Sequence, residues 1–158
     1  MNLLLEFLQI LIKNLPRGIV PGSLVIVYKE TVEGKKFLVI KNMPSGSIAF
    51  PSGTISWWEN YEKTARRELY EETGIRVKTL VEIPILHKFR YKQIFLKLKS
   101  EQHIFLYELK KPKDIRLHSK ETAWFKWVTS QQAEKIISHT ELIKSFRESL
   151  RYLLRDPQ

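Results

Sequence analysis

One stretch constrains this chain more than any other: Asn60 to Thr73, N-Y-E-K-T-A-R-R-E-L-Y-E-E-T, followed by Gly74-Ile75. It holds no proline and is rich in helix formers. Asn60 suits an N-cap, Glu62 falls in the favourable first turn, and Gly74 suits a C-cap. A helix over 60–73 follows. Tyr61, Ala65 and Leu69 recur at i, i+4 and i+8 and form a stripe that needs an apolar surface beneath it. Glu68, Glu71 and Glu72 lie at i, i+3 and i+4, so they share a face. The fold must pack the stripe on a sheet and turn the acidic face towards a cleft.

The remaining pattern supplies that sheet. SLVIVY (23–28) and FLVIK (37–41) read as strands joined by the polar turn ETVEGK. Pro16, Gly18, Pro21 and Gly22 read as punctuation before the first of them, and NMPSGS (42–47) as a loop. IAF (48–50) reads as a short strand running into a tight turn at Pro51-Ser52-Gly53. Residues 75–86 are β-rich and interrupted by Pro84. Strands over about 88–98 and 103–109 follow, linked by KSEQ, and then another at 123–128. Helices over 131–138 and 141–155 close the chain. Strands outnumber helices and the two kinds are interspersed, which predicts an α/β or α+β layered domain with a mixed sheet.

Length and composition narrow the remaining choices. The 158 residues make one domain, 1–158, long enough to bury a core without staples. Cysteine is absent, which excludes a disulfide framework, a thiolate zinc site and a cysteine nucleophile. Apolar residues at 3, 4, 7, 8, 11 and 15 predict an amphipathic N-terminal helix, a 1–15 extension that packs on its own domain or serves a dimer or membrane-surface contact. LLLEFLQILI is too short to span a bilayer, lacks a basic lead-in and a cleavage site, and leaves the cytoplasm as the expected location.

The formal net charge is +10, a field that favours polyanions as partners or simply keeps the surface solvated. Against that background residues 59–72 hold five acids and three bases. Three glutamates on one helical face repel one another and raise each other's proton affinity. A hard divalent cation relieves this, and Mg²⁺ or Mn²⁺ takes carboxylate oxygens while bridging to phosphates. A solvated acidic helix face is the plain alternative for the helix alone.

The full spacing goes further. Gly53, five residues, Glu59, seven residues, Arg67-Glu68-Leu69, one residue, Glu71-Glu72, one residue, Gly74-Ile75 resembles the signature of the Nudix hydrolase family at every fixed position. The resemblance implies an α/β/α sandwich around a mixed sheet, here with an extra N-terminal helix, and a metal-dependent hydrolase of nucleoside diphosphate derivatives. It implies that Glu68 and Glu72 bind metal with the carbonyl of Gly53, that Glu71 assists as ligand or base, and that Arg67 orients a glutamate. Glu59 would be structural, bonding back to the loop, and Gly74 would close the helix. Ser52 and Trp58 stand where many relatives carry glycine, which places Trp57 and Trp58 beside the acidic helix, as loop packing or as a stacking wall for a base.

Substrate signals lie outside that motif. Tyr91, sixteen residues past Ile75, resembles the marker tyrosine of asymmetric diadenosine tetraphosphate hydrolases. Residues 115–127 resemble the segment before the last strand of the animal-type enzymes of that group. Glu121, six residues before Trp127, takes the place of an extra metal ligand or base there. In place of the lysine that starts the preceding strand in that group, this chain has Gln102 or His103. Between 86 and 116 nine Lys or Arg stand against three acids, and alternation puts Lys88, Arg90 and Lys92 opposite Phe89 and Tyr91. These cations are either phosphate contacts or a solvated face. The expected function is cleavage of diadenosine tetraphosphate to ATP and AMP. The alternatives are a pyrophosphohydrolase of nucleoside triphosphates or RNA 5′ ends, and a nucleotide-binding module without turnover. Oligomeric state is not readable.

Overall fold

The computed structural model describes residues 18–43, 45–91, 98–111, 115–117 and 120–155. The expected N-terminal helix and Lys92 lie outside them. In chain order the elements are β1 (Ile19–Thr31), β2 (Gly34–Asn42), β3 (Ile48–Ala49), β4 (Ser52–Thr54), α1 (Tyr61–Thr73), β5 (Val81–Arg90), β6 (Lys99–Glu108), β7 (Thr122–Val128), α2 (Ser130–Ile136) and α3 (Thr140–Arg155). The strands form one mixed sheet of order β3-β2-β1-β6-β5, with β4 paired to β1 and β7 to β2. Only β1 and β6 pair in parallel among the described strand pairs.

Central β1 is buried over Leu24–Tyr28 because both its faces are covered. Its odd positions, Val25 and Val27, pack with Leu38, Phe105, Ala65 and Leu69 beneath α1. Its even positions, Leu24, Ile26 and Tyr28, pack with Phe37, Phe50, Ile104, Leu142 and Phe146 beneath α2 and α3. Helices on both faces of a mixed sheet make an α/β sandwich, as the sequence predicts. The Tyr61–Ala65–Leu69 stripe is the surface that seats α1.

The structure corrects four local readings. Pro21 and Gly22 do not end a loop but lie inside β1, where Gly22 keeps a φ that any residue adopts and the Pro21 carbonyl accepts from Ile55 N–H. Pro51-Ser52-Gly53 is not a tight turn: Ser52–Thr54 is β4, laid antiparallel on β1. Pro84 does not interrupt the region before β5. It sits within β5, an edge strand, where the register to β6 slips between Glu82 and Leu86 and the missing N–H does no harm. The KSEQ link is instead the start of β6, because Ser100 and Gln102 bury their polar side chains on the α3 side of the sheet.

Phe146 is the anchor of the α3 side. It is fully buried, 5.1 Å from Phe37 edge-on and 5.0 Å from Phe50. We expect Phe146→Ala to lower unfolding free energy by about 3–5 kcal/mol in urea titrations, with a cavity left between α3 and β2. A loss below about 1 kcal/mol would mean the core collapses around the gap.

Candidate active site

The acidic cluster is assembled by β4 and α1 together. α1 starts at Asn60, whose side chain accepts from Lys63 N–H, and stops at Gly74, which takes the left-handed conformation at φ 74°. Between these caps Glu68 and Glu72 face inward and Glu71 stays half-exposed. β4 lies over them. Ser52 N–H donates to Glu72 Oε2 at 2.9 Å, and the Glu68 carboxylate packs so closely under Gly53 that a Cβ there would overlap it. Glycine at 53 is therefore a matter of space.

Arg67 organises the rest. Its guanidinium grips Glu59 along one edge with two N–H bonds, Nε to Oε1 at 2.7 Å and Nη2 to Oε2 at 3.0 Å. Nη1 reaches Glu68 at 2.7 Å and Glu71 at 3.2 Å, and Nη2 also donates to the Thr54 carbonyl at 3.2 Å. Glu59 accepts further from Ser56 N–H and the Thr64 hydroxyl. One cation thus joins the loop, the strand and the helix. Burial works against the Arg67 charge, yet its carboxylate partners hold its proton more firmly than usual. Burial likewise opposes the Glu59 charge, but Arg67, Ser56 and Thr64 keep its carboxyl below the usual range.

The inward glutamates behave in the opposite way. Burial pushes Glu68 up to about 7, even with Arg67 beside it. Burial, then the charge of Glu68, pushes Glu72 up to about 9, with Glu121 and Glu71 adding to the repulsion. A divalent cation would offset both the burial and the mutual repulsion of these two groups. Among the described residues no three Asp, Glu or His side chains gather closely enough to hold an ion by themselves. Glu68, Glu72 and the Gly53 backbone are oxygen donors of the kind that Mg²⁺ and Mn²⁺ accept, and they would hold such an ion together with water. Glu71 is drawn instead to Arg67.

The remaining residues named from sequence divide between two faces. The Tyr91 hydroxyl is hydrogen-bonded to Ser100 and Thr54, and burial raises its pKa. Its ring lies 5.1 Å from Phe89, which lies 5.2 Å from His87 on the α3 side of β5. Lys88 and Arg90 project from the other side, the one where His103 stacks on Tyr61 of α1 at 3.6 Å. Lys88 pairs there with Glu101 at 3.3 Å. The cations and Tyr91 are therefore not brought together. Trp57 and Trp58 do not pack the loop: they are 64% and 46% exposed and meet edge to face at 5.4 Å. Glu121 is exposed, and its carbonyl accepts from Met43 N–H at 2.6 Å.

Sequence reasoning passed over Thr64, whose hydroxyl holds Glu59, and the Ser52 N–H that holds Glu72. Thr64 left one signal, a polar residue at the buried edge of the helical stripe.

The NUDIX domain family model matches residues 20–152. No curated protein matches by sequence. Among solved structures the chain is similar to a Caenorhabditis elegans Ap4A hydrolase in a binary complex, at 22% identity and a TM-score of 0.75, over 87% of this chain and 99% of that one. It is similar to the Escherichia coli dihydroneopterin triphosphate pyrophosphohydrolase, at 17% identity and 0.68, over 84% and 94%. The NUDIX domain of Shewanella oneidensis NrtR complexed with ADP ribose aligns at 16% identity and 0.64, over 88% and 97%.

The buried carboxyls make stability depend on pH. Unfolded, each loses its proton near the ordinary 4.5, whereas folded they keep it to about 7 and about 9. The folded state thus binds more protons in that window, and stability falls as pH rises through it. His87, held down to about 4 by burial, acts oppositely but only below its ordinary 6.5. Metal-free protein should therefore melt at progressively lower temperature from pH 6.5 to 9, and Glu72→Gln should flatten this slope and melt higher than wild type at pH 9. Equal slopes in calorimetry would contradict the assignment.

Proposed function

The chain is a Nudix hydrolase, a member of the NUDIX family, and from that premise we propose that it cleaves a phosphoanhydride bond of a nucleoside polyphosphate, diadenosine tetraphosphate to ATP and AMP, with Mg²⁺ or Mn²⁺. The observation that carries this is the Glu68–Glu72 pair turned inward beneath the β4 backbone, Glu72 buried and Glu68 nearly so, two carboxylates whose proton affinity is raised in the absence of a cation. Glu68, Glu72 and Gly53 would hold the ion, with Glu71 at the edge of the set. When bound, the ion neutralises phosphate charge and lowers the pKa of a coordinated water.

The protein's own groups do the rest. Arg67 keeps Glu68 and Glu71 in place, ties the loop before α1 to the helix through Glu59, and holds β4, which carries Gly53, through the Thr54 carbonyl. A fixed frame of this kind supplies positioning, which dominates phosphoryl transfer. A carboxylate of the Glu71 and Glu121 pair takes the proton of the attacking water. Glu121 is favoured by its reach, since its charge bears on Glu72 from outside α1. Tyr91, held by Ser100 and Thr54 next to Gly53, offers a ring at the edge of the site, and exposed Trp57 offers a second stacking surface. Lys88 and Arg90 project on the face that carries α1, where they would meet phosphate oxygens while Tyr91 stacks the base.

The similarity to an Ap4A hydrolase and the tyrosine at position 91 favour the dinucleotide over other substrates. The surplus of Lys and Arg favours a second reading, a pyrophosphohydrolase of triphosphates or RNA 5′ ends. A nucleotide substrate favours a cytoplasmic location, and no helix among the described residues is long and apolar enough to cross a membrane.

Incubation of diadenosine tetraphosphate, nucleoside triphosphates, ADP-ribose and 5′-triphosphate RNA with Mg²⁺, followed by chromatography of the products, tests the proposal. We expect ATP and AMP from the dinucleotide, and a loss of at least about 100-fold in kcat for Glu72→Gln with the fold retained. Turnover of triphosphates or RNA alone would move the protein to the second reading, and turnover of nothing would end both.

A further inference from the structure

Gly22 lies in the middle of β1 and does not need to be glycine for its conformation, since its φ is not positive. It needs to be glycine for space. A Cβ at this position would stand 2.5 Å from the Gly53 carbonyl oxygen, 3.3 Å from the Gly53 carbonyl carbon and 3.3 Å from Gln102 Cγ. The contact with Gln102 is with a flexible side chain that has room to yield. The contact with Gly53 is with backbone.

That backbone is gripped from both sides. The register sets Gly22 opposite Thr54 and Ser23 opposite Gly53, and the β1–β4 pairing is closed at its two ends by Val25 N–H to Pro51 O at 2.8 Å and Ile55 N–H to Pro21 O at 3.1 Å. On its other face Gly53 rests directly on the Glu68 carboxylate. A carbonyl displaced from Gly22 has nowhere to go without moving β4 over the two buried glutamates, and Ser52 N–H, which holds Glu72, moves with it. Two missing side chains, one at position 22 and one at position 53, thus fix where the carbonyl sits between β1 and α1.

We propose that Gly22 is a positioning residue that sets the Gly53 carbonyl for cation binding at Glu68 and Glu72. The proposal rests on the cation reading given above. It acts through Gly53 and touches neither ion nor substrate. Misplacing a ligand or reacting group by about 1 Å costs of the order of 100-fold in rate, which sets the scale of the effect.

The test measures Mn²⁺ binding directly, by the electron paramagnetic resonance signal of free Mn²⁺, in wild type, Gly22→Ala, Gly22→Ala with Gln102→Ala, and Glu72→Gln. Circular dichroism and melting temperature establish that each is folded. We expect Gly22→Ala to weaken Mn²⁺ binding about 10-fold or more. The double variant should be as weak, because trimming Gln102 does not free the carbonyl. Unchanged Mn²⁺ affinity in folded Gly22→Ala would make Gly22 a packing glycine only and overturn the proposal. So would recovery in the double variant, which would trace the effect to Gln102. If Gly22→Ala does not fold, the double variant, with its added room, carries the same comparison with wild type. Wild-type protein without a Mn²⁺ site, or a site indifferent to Glu72→Gln, would instead refute the cation reading itself, and Gly22's role with it.

Discussion

The grip of Arg67 on Glu59 is the contact from which the site is built. Glu59 precedes the helix and Arg67 lies within it, so a bidentate fork between them ties the loop to α1. Such a fork has a fixed plane and direction, which lysine would not impose. The same guanidinium then reaches the Thr54 carbonyl in β4 and the carboxylates of Glu68 and Glu71. Removing it would release strand, loop and helix from one another and leave Glu59 buried without its counter-charge. Partial burial makes this pairing stronger than an exposed ion pair, whose worth is at most about 1 kcal/mol.

That frame sustains an arrangement that would otherwise relax. Glu68 and Glu72 are turned into low-dielectric surroundings and towards each other, and their raised proton affinities express the strain. The protein tolerates it because packing elsewhere is ample: Ala65 and Leu69 seat α1 on one face of the sheet, and Phe146 locks α3 on the other. Stability is thus drawn from the layers and spent on the cleft. Gly53 and Gly22 belong to the same economy of space, since each lets backbone approach where a methyl group would hold it away.

Much of this is legible in the sequence. The caps at Asn60 and Gly74, the apolar stripe and the acidic face follow from helical geometry, which is local. The strand cores at 24–28 and 37–40 follow from apolar runs buried on both faces. The misreadings share one cause, a tertiary partner overriding a local signal. Pro21 and Pro84 read as breaks, but one sits where its carbonyl alone is needed and the other on an edge with slipped register. Ser100 and Gln102 read as a turn, but β1 and β5 pair with them on either side, and Ser100 donates to the Val20 carbonyl. For Trp57 the sequence leaves loop packing and a stacking surface both open, and its exposure keeps the ring available to a ligand. The opposite faces of Lys88 and Tyr91 follow from alternation, yet which helix each face meets is set by topology that no local pattern carries.

The account turns on one claim, that Glu68 and Glu72 hold protons in the metal-free protein because the place they occupy is meant for a cation. Calorimetric titration with Mn²⁺ at pH 7.5, in buffers of differing ionisation enthalpy, counts the protons expelled on binding. We predict release of about one proton per binding event, chiefly from Glu72, and its disappearance in Glu72→Gln. Binding without proton release, or the same release from the variant, would contradict the claim.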